Sequence, residues 1–186
     1  MSKSKIIEVP GVEKLRIAVV DHIDSQGESL SPEWMIKMDS LCQSQVKGFE
    51  DFTELLGWYG EASRHNGSTV SNAQLASTAT LRHSEVVIVV PIAGYTPVLE
   101  RDMSIGKFLE VVSIVRLGHI MKAKVKLQQI DFTKCRVHKL QQQLDQLIVY
   151  LNVSAKKNTV FVYDQTGSNK GQNVSEVNYA TNEIAL

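Results

Sequence analysis

Residues 84–127 constrain the fold of this chain more than any other stretch. Positions 86–90 hold five consecutive β-branched residues, and Pro91 follows them. Such a run suits a pleated strand that is covered on both faces. Thr96 as N-cap and Pro97 at the first helical position predict the start of a helix, which Gly106 ends. Because a helix over residues 96–106 is too short to be a layer, it must lie against a β-structure. Asp102 falls inside the apolar arc of this helix, and Lys107 is its predicted partner.

The rest of the chain reads as strands joined by turns. Residues 108–117 and 121–130 predict two strands with a turn at Gly118 and His119, and residues 131–138 continue or bend the second one. The polar residues 141–143 are predicted to separate two strands. Residues 147–153 and 159–163 are predicted to form an apolar hairpin that turns across residues 155–158. The remaining predicted strands cover residues 15–20, 34–41, 74–81, 147–153, 159–163 and 174–179.

Short turns between these strands favour antiparallel pairing, and one short helix cannot cover a whole sheet. The predicted fold class is therefore mainly β: an antiparallel β-barrel or curved two-sheet sandwich with one short α-helix on its side. We expect a single domain over residues 1–186, with a flexible N-terminal segment at residues 1–13.

A long, irregular excursion at residues 43–72 interrupts the strand pattern. Phe49, Phe52, Leu55 and Leu56 recur at helical spacing, so we expect a turn or two of helix inside an extended loop. Loops this long are usually functional. Phe49, Phe52, Trp58 and Tyr59 are candidates for contacts between subunits, and the alternative is that they cap the domain's own core.

Composition restricts the partners of the chain. Twenty basic and twenty acidic residues give a formal net charge of zero, which argues against nucleic-acid binding. No apolar run reaches the roughly 20 residues that cross a bilayer, and the N-terminal region predicts no signal peptide. We therefore expect assembly in the cytoplasm and any export without a cleavable signal. Cys42 and Cys135 are expected to be buried thiols.

No catalytic, cofactor or metal site emerges from the sequence. The histidines, at positions 22, 65, 83, 119 and 138, are scattered, and no glycine-rich loop lies between a strand and a helix. Lys122, Lys124 and Lys126 alternate with apolar residues and form one charged face of a strand. That row is a solvated face, or it lines a lumen or the face of a ring. We expect no enzyme activity.

Three groups of residues together resemble one known family, the Hcp tube proteins of bacterial type VI secretion. Its members commonly show a turn ending in Gly-Glu-Ser before a Trp-Ile strand, a Ser-Pro-x-Leu helix before Gly-Lys, and closing Tyr, Asp, Gly and Trp-Asp signals. Tyr179 and Ala180 stand where the family usually has Trp and Asp. The matching residues here are Gly27-Glu28-Ser29 with Trp34-Met35-Ile36, then Thr96-Pro97-Val98-Leu99 with Gly106-Lys107, and then Tyr163-Asp164 with Gly167.

The resemblance implies a small β-barrel flanked by one helix, six copies of which close into a ring. Rings would stack into a hollow tube inside a contractile sheath, carry a VgrG-type spike, and be expelled into target cells with effectors in the lumen. Lys122, Lys124 and Lys126 would then face the lumen or a neighbouring ring. The alternatives are a phage tail-tube or related contractile injection protein and, in another class, a monomeric ligand-binding β-barrel.

Overall fold

The structure is a computed structural model that describes residues 4–8, 16–20, 33–44, 46–65, 80–120, 123–164, 166–181 and 183–185. In these residues strands dominate, and one helix, α1, spans Thr96–Ser104. The strands are β1 Ser4–Glu8, β2 Arg16–Val20, β3 Trp34–Met38, β4 Thr53–Glu54, β5 Gly57–Tyr59, β6 Ala62–His65, β7 Thr80–His83, β8 Val86–Pro91, β9 Phe108–Ile120, β10 Ala123–Gln143, β11 Gln146–Asn152, β12 Ala155–Tyr163, β13 Asn169–Asn178 and β14 Glu183–Ala185.

The longest pairing joins β9 to β10 as an antiparallel hairpin that reverses between Ile120 and Ala123. The predicted turn at Gly118 and His119 is therefore wrong, because both residues lie inside β9. Gly118 is there for a different reason. A Cβ atom at this position would lie 2.6 Å from Cδ1 of Leu127 on the paired strand, so the glycine permits a close approach between strands.

The other side of β10 pairs first with β11 and then with β12. The register runs from Gln143 opposite Gln146 to Arg136 opposite Asn152, and it resumes at Thr133 opposite Ala155. The predicted hairpin across residues 155–158 is therefore wrong, because β11 and β12 follow one another along β10. The actual turn is at residues 144–145, and residues 141–143 belong to β10.

Neighbouring strands form a closed antiparallel barrel in the order β3, β9, β10, β11, β8. Residues 53–59 close it, because β4 pairs with β3 and β5 pairs with β8. Between those two short strands, the Leu55 amide donates to the Trp34 carbonyl at 3.1 Å and the Leu56 amide donates to the Val89 carbonyl at 2.9 Å. The predicted mainly β, barrel-like class with one short helix is confirmed.

The barrel interior is filled by alternate residues of each strand, as the two-residue period of a strand requires. These side chains form one buried apolar cluster that also takes in Tyr95 and Leu99 of the helical segment. The helix is thus anchored on the barrel rather than forming a layer. The strand members of the cluster include Ile36, Met38, Val86, Ile88, Val90, Val112, Ile114, Ile130, Phe132, Leu147, Val149 and Leu151.

Helix α1 begins at Thr96, one residue earlier than the predicted first helical residue, Pro97. Tyr95, not Thr96, occupies the N-cap position, and its side chain makes no capping hydrogen bond. The predicted end is confirmed, since Gly106 has φ +68°. Asp102 lies in the apolar face of the helix and is 1% exposed. It accepts hydrogen bonds from Arg101 at 2.9 Å and Lys107 at 3.1 Å, which confirms the predicted pairing with Lys107.

The excursion at residues 43–72 is more regular than predicted. Turns at residues 46–51 lead into β4 and β5, so the helix predicted from Phe49, Phe52, Leu55 and Leu56 is wrong. Strand β6 follows, and residues 66–72 lie outside the described residues. The described part of the segment at residues 1–13 is β1, which pairs with β2.

Several other predicted features lie wholly or partly outside the described residues. The predicted turn at Gly27-Glu28-Ser29 lies wholly outside them. Of the strand predicted at residues 74–81, residues 74–79 lie outside them, and residues 80–81 belong to β7.

The closing motif around Tyr163-Asp164 builds a turn after β12. The Asp164 carboxylate accepts hydrogen bonds from the Thr166 hydroxyl at 2.6 Å and from the Ser168 amide at 2.9 Å. The Thr166 hydroxyl and the Ser168 amide hold the pKa of Asp164 below its usual value. Gly167 has φ +83°, a left-handed conformation that favours glycine. The Asp and Gly of this motif therefore serve the turn itself.

Candidate functional site

Two of the four candidate interface aromatics pack on the outside of their own barrel. Phe49 is 8% exposed and lies against Met35 of β3 and Val115 of β9. Phe52 is half-buried beside it, with ring centroids 5.5 Å apart in an edge-to-face arrangement. A backbone hydrogen bond of 3.1 Å from the Phe52 amide to the Phe49 carbonyl fixes the turn that presents both rings. Phe52 is thus the more accessible of the pair.

Lys126 joins these aromatics to the predicted charged row. Its ammonium nitrogen lies 5.7 Å from the Phe49 ring centroid and 5.9 Å from that of Phe52, distances at which the ring face attracts a cation. It also donates to the Gln129 side-chain oxygen at 3.2 Å. We define Phe49, Phe52 and Lys126 as the aromatic–lysine patch. Sequence analysis named its members separately, because their proximity depends on the β3–β9–β10 register.

The other members of the row are less informative. Burial lowers the pKa of the half-buried Lys124, and Lys122 lies outside the described residues. The structure therefore places two of the three lysines on the partly buried first half of β10.

Trp58 and Tyr59 point to opposite faces of β5, so the four aromatics do not form one surface. Trp58 packs against the barrel core, with its ring centroid 6.4 Å from that of Phe132. Tyr59 packs against an outer cluster that contains Val87, Val89, Ile148 and Tyr150. The Tyr59 hydroxyl donates to the Glu61 carboxylate at 2.7 Å.

A polar row crosses the outer face of the sheet. In register from β3 to β13 it consists of Lys37, Ser113, Asp131, Lys157 and Glu176. The Ser113 hydroxyl donates to Asp131 at 2.6 Å, and Lys37 pairs with Asp51 at 2.9 Å. Opposite charges directly across strands stabilise a sheet. Sequence analysis missed this row, since each member comes from a different strand.

A shallow pocket opens at one end of the barrel, and most of the about 240 Å³ of space in and above it is open to solvent. Trp58, Phe132 and Tyr179 supply aromatic walls, and Lys156 lines it as well. We call it the Lys156 pocket. Lys156 is half-buried and burial lowers its pKa. Among the described residues no carboxylate lies within ion-pair distance of its ammonium group.

His83 forms a wall of this pocket and is fully engaged in structural contacts. Its two ring nitrogens lie 2.5 Å from the Ser84 carbonyl oxygen and 2.7 Å from that of Val153. Its ring centroid is 4.2 Å from that of Tyr179. Tyr179, one of the departures from the Hcp pattern, therefore has a packing role here. No local pattern predicts the pocket, because Lys156 lies in the segment 155–158 that is predicted as a turn.

The described residues contain little that suggests reaction chemistry. They hold no group of three or more His, Cys, Asp or Glu side chains placed to bind a metal. Cys42 and Cys135 are free and buried, as predicted, and burial raises their pKa to about 11 and about 12. Thiols held in the neutral form are poor nucleophiles.

Within the described part of the chain, no helix has the length and apolar character needed to span a membrane.

The protein is an antiparallel β-barrel with one flanking helix, and solved structures share this fold. The chain has the fold of Hcp proteins of type VI secretion, which confirms the resemblance seen in the sequence. A structure described as a type six secretion system protein superposes with a TM-score of 0.71 at 15% identity, over 83% of this chain and 100% of that chain.

Two further structures agree. Hcp1 from Salmonella typhimurium superposes with a TM-score of 0.63 at 18% identity, over 82% of this chain and 97% of its own. A type VI secretion system effector from Yersinia pestis gives a TM-score of 0.59 at 14% identity, over 78% of this chain and 98% of its own. No protein-family profile and no curated protein sequence matches the chain. The similarity to these proteins is therefore detected by comparing structures and not by these two sequence comparisons.

Proposed function

We propose that this protein is a structural, non-enzymatic subunit of a type VI secretion inner tube. Six copies form a ring, and rings stack into a hollow tube. The observation that carries the proposal is the match to type VI secretion proteins across nearly the whole of their chains, with 83% of this chain included in one case. The shared fold supports the same structural role for this chain.

The surface chemistry of the barrel supports self-association. The formal net charge is zero, so copies meet no long-range repulsion. Several large apolar side chains are exposed, among them Ile105 at 68%, Phe108 at 44% and Val162 at 44%. Among the described strands, β14 lies at the edge of its sheet and pairs with β13 alone, and an unpaired strand edge is a ready site for another chain. A ring of identical subunits would cover such groups through heterologous contacts.

The predicted interface and lumen residues take specific places in this proposal. Phe52 and Lys126, the more accessible part of the aromatic–lysine patch, contact a neighbouring subunit while Phe49 supports them from below. Trp58 and Tyr59, which lie on opposite faces of β5, are the other two contact residues of the proposal. Lys124 and Lys126, with Lys122, face the lumen or the next ring.

The partners follow from the same proposal. The tube assembles in the cytoplasm inside a contractile sheath, carries a VgrG-type spike, and leaves the cell with effectors in its lumen.

Export dependence tests this function. In the organism that encodes the chain, an epitope-tagged copy is followed in the medium with and without the gene for the contractile sheath subunit. We expect release that disappears without the sheath, while a cytoplasmic marker stays inside the cells. Equal release from both strains would contradict the proposal.

A further inference from the structure

The tip of the β10–β11 hairpin carries an unusual pair of residues. Gln143 pairs with Gln146, so Leu144 and Asp145 alone form the turn. Leu144 has φ +54° and is 81% exposed. A left-handed conformation costs a residue with a Cβ atom about 1 kcal/mol, and such turns normally use Gly, Asn or Asp. Leu144 therefore destabilises the isolated subunit in two ways: its backbone is strained, and its apolar side chain is exposed to water.

Asp145 beside it presents a negative charge at the same tip. Its side chain is exposed, and among the described residues no cation lies within ion-pair distance of it. Its backbone carbonyl accepts a hydrogen bond of 3.0 Å from the Ile92 amide, which fixes the turn against the end of β8. The hairpin therefore projects one apolar and one acidic group from a fixed support.

The Lys156 pocket has the complementary chemistry. It combines aromatic walls with an ammonium group that is half-buried and unpaired within the described chain. Taking a charge out of water without a partner costs free energy, so a carboxylate from outside would recover part of that cost. Glu61 also lines the pocket, but it is exposed and already accepts the Tyr59 hydroxyl bond at 2.7 Å.

Tip and pocket lie at opposite ends of the barrel. Strand β11 starts beside the tip at Gln146 and ends at Asn152, directly before Val153 of the pocket. Eight residue steps from Asp145 to Val153 span up to about 26 Å of extended chain. The two sites of one subunit therefore do not meet, whereas two subunits arranged head to tail bring them together. A contact between two different patches of the same chain is heterologous and can repeat.

We propose that the Leu144–Asp145 tip of one copy docks in the Lys156 pocket of another copy. The Leu144 side chain covers the aromatic wall, and the Asp145 carboxylate pairs with the Lys156 ammonium. This inference rests on the proposed tube function, since it names a contact between subunits of that assembly. It also gives a reason for an exposed leucine at a strained position.

Intermolecular cross-linking tests the contact in the full-length chain. Copies labelled with ¹⁴N and ¹⁵N are mixed at tens of micromolar, where light scattering reports association, and treated with a carbodiimide. This reagent joins a carboxylate directly to a nearby amine. We expect a peptide in which Asp145 of one isotope is joined to Lys156 of the other.

Charge exchange gives an independent measurement. Asp145→Lys and Lys156→Glu should each weaken association by about tenfold, as the loss of one favourable pair predicts, and the double variant should recover it. Lys134→Glu, at an exposed position of β10, is the control. Leu144→Gly should weaken association while raising the melting temperature of the subunit, a combination that a purely structural role would not give.

The outcomes separate the two proposals. Undiminished association of the single variants, without an isotopically mixed Asp145–Lys156 peptide, would overturn this contact and leave the tube function intact. Saturation of the pocket by a small acidic ligand from the cells, with association unchanged by the variants, would also overturn it. A wild-type chain that stays monomeric would overturn the contact and the tube function together.

Discussion

The Asp102 carboxylate connects α1 to the start of β9 through two cations. It is 1% exposed, whereas the side chains of Arg101 and Lys107 are 64% and 53% exposed. Hydrogen bonds from Arg101 and then from Lys107 hold the pKa of Asp102 below its usual value. If the two hydrogen bonds are lost, water can hydrate the exposed Arg101 and Lys107 side chains, but it cannot reach the buried Asp102 carboxylate. Asp102 is therefore the member whose ionisation state matters most for stability.

We predict that Asp102→Asn lowers the free energy of unfolding at pH 7. Because the folded-state pKa is lowered, the ionised group stabilises the fold above the unfolded-state pKa near 3.9. That contribution disappears as the pH falls through the folded-state pKa. Urea unfolding between pH 7 and pH 2 should therefore show a shallower acid loss in the variant. Glu100→Gln, on the exposed face of α1, is the matched control, and equal acid loss in all three proteins would refute the assignment.

The two cysteines should be chemically silent in the folded protein. Burial raises the pKa of Cys42 to about 11 and that of Cys135 to about 12, and the thiolate is the reactive form. We expect a thiol reagent to label neither residue in native buffer within minutes, and both at once in denaturant. Ile105→Cys, at a position that is 68% exposed, should react immediately. Fast native labelling of the wild type would contradict the buried placement.

At the scale of the strands, Gly118 sets the spacing between β9 and β10. A methyl group there would overlap Leu127, with 2.6 Å between the added Cβ and Leu127 Cδ1. We predict that Gly118→Ala lowers the free energy of unfolding by about 1–3 kcal/mol, the usual range for overpacking. Leu127→Ala in the same chain should remove most of the added penalty. Gly94→Ala, where nothing lies within 4 Å of the added atom, should be close to neutral.

The turn before β4 is anchored by Phe49 rather than by Phe52. Phe49 is 8% exposed and contacts β3 and β9, so Phe49→Ala should cost about 3 kcal/mol of folding stability. The partly exposed Phe52 should cost clearly less when it is changed to alanine. Chemical denaturation of both variants measures the difference, and a larger loss from Phe52→Ala would show that the packing is misassigned.

Local signals in the sequence predicted the strand β8, the end of α1 at Gly106 and the Asp102–Lys107 pair, because neighbouring residues decide those features. Long-range register decided the rest. Gly118 looked like a turn because its reason, the approach of Leu127, lies on another strand. Residues 155–158 looked like an exposed turn, yet pairing with β10 keeps them in β12. The aromatic–lysine patch and the Lys156 pocket assemble only when the barrel closes.

At the scale of the whole molecule, the barrel combines a filled interior with several exposed apolar groups. Interior clusters and the Asp102 pair stabilise the subunit itself. Leu144, Phe108 and Val162 contribute nothing to that interior and remain exposed. This division is typical of a chain whose surface is completed by copies of itself. We therefore infer that the functional state of the protein is an assembly of identical copies.

The most direct test is the mass of the full-length chain in solution, measured by light scattering coupled to size exclusion at several concentrations. Our account predicts a species near six times the subunit mass of 20.7 kDa, with longer stacks at higher concentration and rings in negative-stain images. A single species at the subunit mass up to tens of micromolar, without rings, would contradict it.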